Sequence, residues 1–301
     1  MLNENNLFAS ILQVITYHDL FDYPLTNFEI WQKISIKTSL IDTINTLKKP
    51  NHLIQEKQGF YFLTGREQIV ITRYNRYNYT FRKIKLAKII AHIFKYISSI
   101  ELIAVGNLIG AHNLKDESDI DFFIITKPNT LWVTRFITTS IVKALNLRPT
   151  QKNQRDKICL SFFITNNNLN LENIKLNPND LYLTGWLSNL FPIYDKNNIY
   201  NCLIKNNPWL HTSLPNWEPS NSSPQFLIKE TFTIFPLELL KLFETPLKKF
   251  QLKMFPIAIK ELMNQDTRVI INDQMLKFHV NDRRKMYQEK FEAKWKNLKE
   301  A

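Results

Sequence analysis

Cysteine is almost absent from this 301-residue chain: Cys159 and Cys202 are the only two, and they lie far apart. Two thiols with no C-x-x-C pair exclude a disulfide framework and a cysteine-based zinc motif, and fit a reducing compartment. Glycine is also sparse. Gly59, Gly65, Gly106, Gly110 and Gly185 are the whole set, so each is expected at a turn or a close approach. No charge-free apolar run nears the roughly 20 residues of a membrane-crossing helix. The opening MLNENNLFAS lacks the basic start and apolar core of a signal peptide. These absences predict a cytoplasmic protein with no membrane partner. Acidic residues are short as well: 27 Asp and Glu face 39 Lys and Arg, a formal charge of +12. Such an excess points to an anionic partner such as a nucleotide or nucleic acid, although lysines that only solvate the surface explain the same balance. What is present in quantity is apolar: 44% hydrophobic and 13% aromatic residues can bury a sizeable core and exclude disorder. The length suits two domains with room for a further element.

Residues 1–65 read as one small unit. LFASILQVITYHDLF, from Leu7, has helical apolar spacing. In YPLTNFEIWQKI, Thr26 and Glu29 form a capping box at the start of a second helix. A third helix runs from about Ser39 until Pro50 stops it. HLIQEKQGFYFLT then alternates about Gln58-Gly59 as a hairpin does. Three helices and a hairpin in this order, together with YPLT, resemble a bacterial winged helix-turn-helix domain. In DNA-binding members the third helix enters the major groove; here it offers Thr43, Asn45, Lys48 and Lys49, with Asp42 opposing. Winged helices also serve as packing modules, and both uses remain open.

Residues 66–99 are predicted as a basic connecting helix, with eight Lys and Arg against the single acid Glu67. Tyr74, Tyr77 and Tyr79 interleave with Arg73, Arg76 and Arg82. That mixture can stack on bases and hold phosphates, with Arg73 and Arg76 as candidate nucleic-acid contacts; it can equally fill a helical interface. Residues 100–210 alternate strand and helix and predict a mixed sheet with flanking helices. The helix within them, NTLWVTRFITTSIVKAL, is expected to be capped by Asn129 or Thr130. Residues 177–210 are read as helical. Residues 211–225, rich in Pro, Ser and Asn, read as a linker. Residues 226–301 are expected to be mainly helical, broken at Pro236, Pro246 and Pro256, with a hairpin at Asn272-Asp273 and a terminal helix capped by Asn281 or Asp282. The fold class is therefore α+β.

The chemistry concentrates in AVGNLIGAHNLKDESDIDFFIIT, residues 104–126. Side chains alternate along a strand, so Asp119 and Asp121 share a face. Two adjacent carboxylates in apolar surroundings repel and resist ionisation, and a divalent cation relieves both costs. Gly106-Asn107 upstream suits a phosphate that approaches the backbone. Val105, Gly106, Asn107, Asp119, Ile120 and Asp121 resemble the signature of the DNA polymerase beta-type nucleotidyltransferases: an apolar residue, Gly-Ser, about ten residues, then Asp-apolar-Asp. The resemblance implies that Asp119 and Asp121 bind Mg²⁺ or Mn²⁺ and that Gly106 and Asn107 hold the phosphates of a nucleoside triphosphate. A nucleoside monophosphate would pass to a hydroxyl of an unidentified acceptor. Lys115 and Arg135 are further phosphate-binding candidates. Two departures stand out. Asn107 takes the usual Ser place, and the strand KICLSFFIT offers Ser161 where active members carry a third carboxylate, while Asp156 only precedes it. The alternative is a catalytically degenerate nucleotide-binding regulator, or a DNA-binding or interaction module acting through the winged helix. His279, Asp282, Arg283 and Arg284, in KFHVNDRR, form a second cluster that reads either as an anion site or as a helix cap. His92 is expected to be packed rather than reactive.

Overall fold

The computed structural model describes residues 4–106, 112–219, 227–229 and 236–300. The first helices are α1 (Glu4–Asp19), α2 (Asn27–Lys33) and α3 (Leu40–Leu47), followed by a hairpin of β1 (Ile54–Lys57) and β2 (Phe60–Leu63). Thr26 and Glu29 close the capping box in both directions, at 2.9 and 3.2 Å. Ser39 Oγ accepts from Asp42 N to start α3. Gln58 and Gly59 both adopt positive φ, the backbone of a two-residue hairpin turn. Ile11, Ile15, Leu25 and Ile30 form the core of this unit.

A single helix, α4 (Gln68–Phe94), leads to the main sheet. Here the structure differs from one use expected of the helix. Arg73 makes two bonds to Glu29, at 2.7 and 2.9 Å, and lies over the rings of Tyr23 and Phe60. Arg76 is buried and donates to Asn113 Oδ1. Both guanidiniums are fixtures inside the protein, so neither presents a phosphate-binding surface. Lys48 and Lys49 are exposed at the end of α3. His92 is exposed too and bonded to its own helix at Lys88 O, so the expectation that it packs is corrected.

The next elements are β3 (Ile100–Val105), β4 (Ile120–Thr126), α5 (Leu131–Ala144), β5 (Ile158–Thr165), α6 (Leu181–Ser188), β6 (Phe191–Asp195), α7 (Ile199–Lys205) and α8 (Trp209–Ser213). They are followed by α9 (Leu237–Leu242), α10 (Glu244–Met254), α11 (Ile257–Leu262), β7 (Val269–Ile271), β8 (Met275–Phe278) and α12 (Arg284–Glu300). The larger sheet has the order β6-β3-β4-β5-β8-β7. It is mixed: β3 runs antiparallel to β4, and β4 parallel to β5. Alternation sends Ile103, Val105, Phe122 and Ile124 into the core with α4 and α5. It sends Leu102, Phe123 and Ile125 to the opposite face, under α6, α7 and α8.

Three expectations need correcting. The stretch 177–210 is not all helix, because β6 lies within it. Pro192 fits because β6 is an edge strand and lacks one row of partners. The hairpin expected at Asn272-Asp273 is there as β7–β8, and through β8 it pairs with β5 and completes the sheet. Pro246 does not break α10; it sits in the first turn, where its missing N–H is harmless. Neither Asn129 nor the Thr130 side chain caps α5. Glu244 does so from a distance, accepting from Trp132 N and Val133 N at 2.9 Å each. The last helix, α12, returns to the first unit, where Trp295 and Leu298 pack on its core and Lys294 pairs with Asp19.

Candidate functional site

Gly106 ends β3, and Asp119 and Asp121 flank the start of β4, so the antiparallel pairing of the two strands brings these residues together. Gly106 N donates to Asp121 O at 2.8 Å. The glycine is required by its neighbour: a Cβ at Gly106 would lie 2.9 Å from Trp186 Nε1. The indole, on α6, thus lies directly over the backbone that the motif was expected to offer to phosphate.

Asp119 and Asp121 open onto a cavity of about 520 Å³, between the start of β4, α6 and the segment joining β8 to α12. Such a volume accommodates a small-molecule ligand. Burial raises the pKa of both carboxyls. For Asp121, burial and then the neighbouring Asp119 charge push it up to about 7. This is the behaviour expected of two acids held together in a poor solvent for charge.

Their third neighbour is Cys159. A ligand atom from each of Asp119, Asp121 and Cys159 lies within 4.8 Å of the others. The sequence pointed two residues further, to Ser161. The register of the parallel pair decides it: Asp121 faces Cys159, and β5 carries one extra residue before Phe123 faces Phe162. Burial, followed by the repulsion of Asp121 and Asp119, holds the Cys159 thiol well above its ordinary range. Ser161 also lines the cavity and bonds His279 Nε2 at 3.2 Å. Burial lowers the His279 pKa to about 3, leaving the ring neutral at pH 7. Asp156 is turned away, bonded to Lys83 at 2.9 Å and to Arg82 at 3.0 Å. The buried Lys83 also donates to Ser118 O, so it ties α4 to the turn ahead of Asp119.

The phosphate-binding candidates separate. Gly106 lines the cavity. Asn107 lies outside the described residues. Lys115 is exposed and is not among the lining residues. Arg135 is not in the site: it lies under Phe255 and Phe278 and donates to Gln251. The cations that line the cavity are Lys277, Arg283 and Arg284, and Lys277 donates to Thr267 O at 2.6 Å. Arg284 is committed to Asp180 and Asp282, so the cap and anion-site readings of this cluster share its residues. Asp282 does accept from Arg284 N at the start of α12. Arg283 is exposed at the mouth. Burial lowers the Lys277 pKa to about 8.

Comparison with family models, curated proteins and solved structures returned no significant match. Among the described residues no helix is long and apolar enough to cross a membrane.

Proposed function

We propose that this chain is a divalent-metal-dependent nucleotidyltransferase that moves a nucleoside monophosphate from a nucleoside triphosphate to a hydroxyl. One observation carries the reading: two half-buried carboxylates, close enough to share one ion, open with Gly106 onto a ligand-sized cavity. The mixed sheet is compatible with the resemblance of residues 104–126 to polymerase beta-type transferases. Asp119 and Asp121 would hold Mg²⁺ or Mn²⁺, and their hard oxygens fit either ion. A bound ion would neutralise the carboxylates and polarise the phosphate under attack. Gly106 leaves room for the Trp186 indole against the strand end. Arg283 at the mouth and Lys277 within supply positive charge for a polyphosphate. Trp186 and Tyr182 provide flat surfaces against which a base can rest.

A second reading is favoured by Cys159. The group beside the two aspartates is a thiol and not a third carboxylate, and a protonated thiol is a poor ligand for Mg²⁺. On that reading the chain binds a nucleotide without turnover and acts as a regulator. Its N-terminal unit, read as a winged helix, would engage DNA through Lys48 and Lys49 or serve only as a packing module. Labelling with α-³²P nucleotides in Mn²⁺ or Mg²⁺ separates the readings. Transfer that vanishes in Asp119→Asn/Asp121→Asn supports the enzyme. Metal-dependent nucleotide binding without pyrophosphate release supports the regulator. Absence of both metal and nucleotide binding overturns the site. DNA binding that weakens with salt and survives the double change locates that function in the N-terminal unit.

A further inference from the structure

A second cavity, of about 760 Å³, lies between the N-terminal unit and the sheet domain, walled by α1, the end of α2, α6, α8 and α12. Its size is again that of a small-molecule site. It is separate from the aspartate cavity but shares a wall with it. Helix α6 turns Tyr182, Leu183 and Trp186 toward one and Thr184, Gly185 and Ser188 toward the other.

Two features of this cavity point to a ligand site. Lys33, on its wall, makes one hydrogen bond among the described residues, to Asn189 Oδ1 at a long 3.5 Å. The nearby carboxylate of Glu29 is already taken by Arg73, Tyr23 and Thr26. A half-buried ammonium this poorly matched on a cavity wall suits an anionic partner. The second feature is Gly185. A glycine inside a helix costs about 1 kcal/mol relative to alanine, yet a Cβ there would meet no atom within 4 Å. No neighbouring protein atom requires the glycine; the space that its side chain would fill is the cavity. Burial lowers the pKa of the adjacent His18 to about 3, so the positive charge here is carried by lysine. Lys175 sits 4.0 Å above the Trp209 ring.

We propose that this cavity binds a small organic anion: a carboxylate or a phosphate monoester carried on a flat apolar body. Lys33 meets the anionic oxygens, and Trp209 and Phe291 flank the body. Calorimetric titration of the whole, metal-free chain with phenyl phosphate and, separately, benzoate tests this. At least one of the two binds the wild type, and the tighter one identifies the anion class. Lys33→Met weakens binding about tenfold or more, the scale of losing a charge-assisted hydrogen bond, and Lys33→Arg retains most of it. Gly185→Leu abolishes binding by filling the cavity, while its circular dichroism stays that of the wild type. Asp119→Asn/Asp121→Asn binds as the wild type does, which distinguishes this cavity from the other. The proposal is overturned if neither anion binds at roughly 10 mM, where even a millimolar complex would register. It is also overturned if Lys33→Met binds as well as wild type, or if the double aspartate change removes binding.

Discussion

Replacing Asp121 with asparagine should stabilise the metal-free protein and remove its response to divalent cations. The Asp121 carboxyl is raised from 3.8 to about 7, first by burial and then by Asp119. The folded chain therefore holds a proton between those two pH values that the unfolded chain has released. Stability is at its fullest below pH 3.8 with respect to this group and falls as pH rises toward 7. This is the reverse of a carboxylate held in an ion pair. A shift of about three units corresponds to an upper bound of about 4 kcal/mol, at 1.36 kcal/mol per unit. Relaxation and water entry reduce it, and about 2 kcal/mol is a reasonable expectation. At pH 8 in chelator, Asp121→Asn should melt about 3–5 °C above wild type. Saturating Mg²⁺ or Mn²⁺ should raise the wild type by a similar amount, since an ion at 100 times its dissociation constant contributes about 2.7 kcal/mol, and should leave the variant almost unmoved. Differential scanning fluorimetry at pH 5 and pH 8, with and without metal, reads all of these. If Asp121→Asn melts at or below wild type at pH 8 in chelator, the carboxylate is not paying a burial cost. If metal raises both proteins equally, the ion binds elsewhere. Either result refutes the reasoning.

Four further outcomes follow from named contacts. Cys159→Asp puts a carboxylate opposite Asp121, so Mg²⁺-dependent transfer in the α-³²P assay should rise above wild type; unchanged or lower transfer would show that this slot is not the missing ligand. Gly106→Ala drives a methyl group to 2.9 Å from the Trp186 indole and should cost about 1–3 kcal/mol by denaturant titration, with weaker nucleotide binding because the indole shifts. Arg73→Met strands the Glu29 carboxylate, whose pKa is lowered to about 2 because Arg73 outweighs the opposing effect of burial. The loss should be about 3 kcal/mol at pH 7, and it should shrink as pH falls through the range from 4.5 to about 2 where Glu29 protonates. Glu244→Ala leaves Trp132 N and Val133 N without their acceptor and should cost about 1–2 kcal/mol, read by the same titration.

What was legible in the sequence was what depends on neighbours in the chain. Thr26 and Glu29 are three residues apart, and their box formed as expected. Gln58-Gly59 needs only local backbone freedom, and the hairpin is there. The shared face of Asp119 and Asp121 follows from the strand period alone. Long-range partners were not legible. Arg73 looked like a surface cation because nothing near it in sequence names Glu29, 44 residues away. Arg135 looked like a phosphate ligand one helix on, yet its partners come from residues 251, 255 and 278. Strand β6 was hidden by Pro192, and the union of β8 with β5 was hidden by the residues between them.

The register of β5 on β4 bears most directly on function. Ser161 is the central polar slot of KICLSFFIT, but the parallel pairing sets Cys159 against Asp121. Strand register leaves no mark in composition, so the third position of the site could be read only from the paired strands. The consequence is chemical. Serine and cysteine are both neutral at this position, but only the thiol can become an anion when a metal lowers its pKa. Burial and two carboxylates oppose that ionisation in the metal-free site. The same two carboxylates would attract the ion that reverses the opposition. Under the transferase proposal, the identity of the ion then matters. Mn²⁺, which tolerates sulfur better than Mg²⁺ does, would gain a third ligand from Cys159. A higher transfer rate in Mn²⁺ than in Mg²⁺ that collapses to the Mg²⁺ level in Cys159→Ser is the expected result. Equal rates in the two metals for the wild type would show that the thiol takes no part.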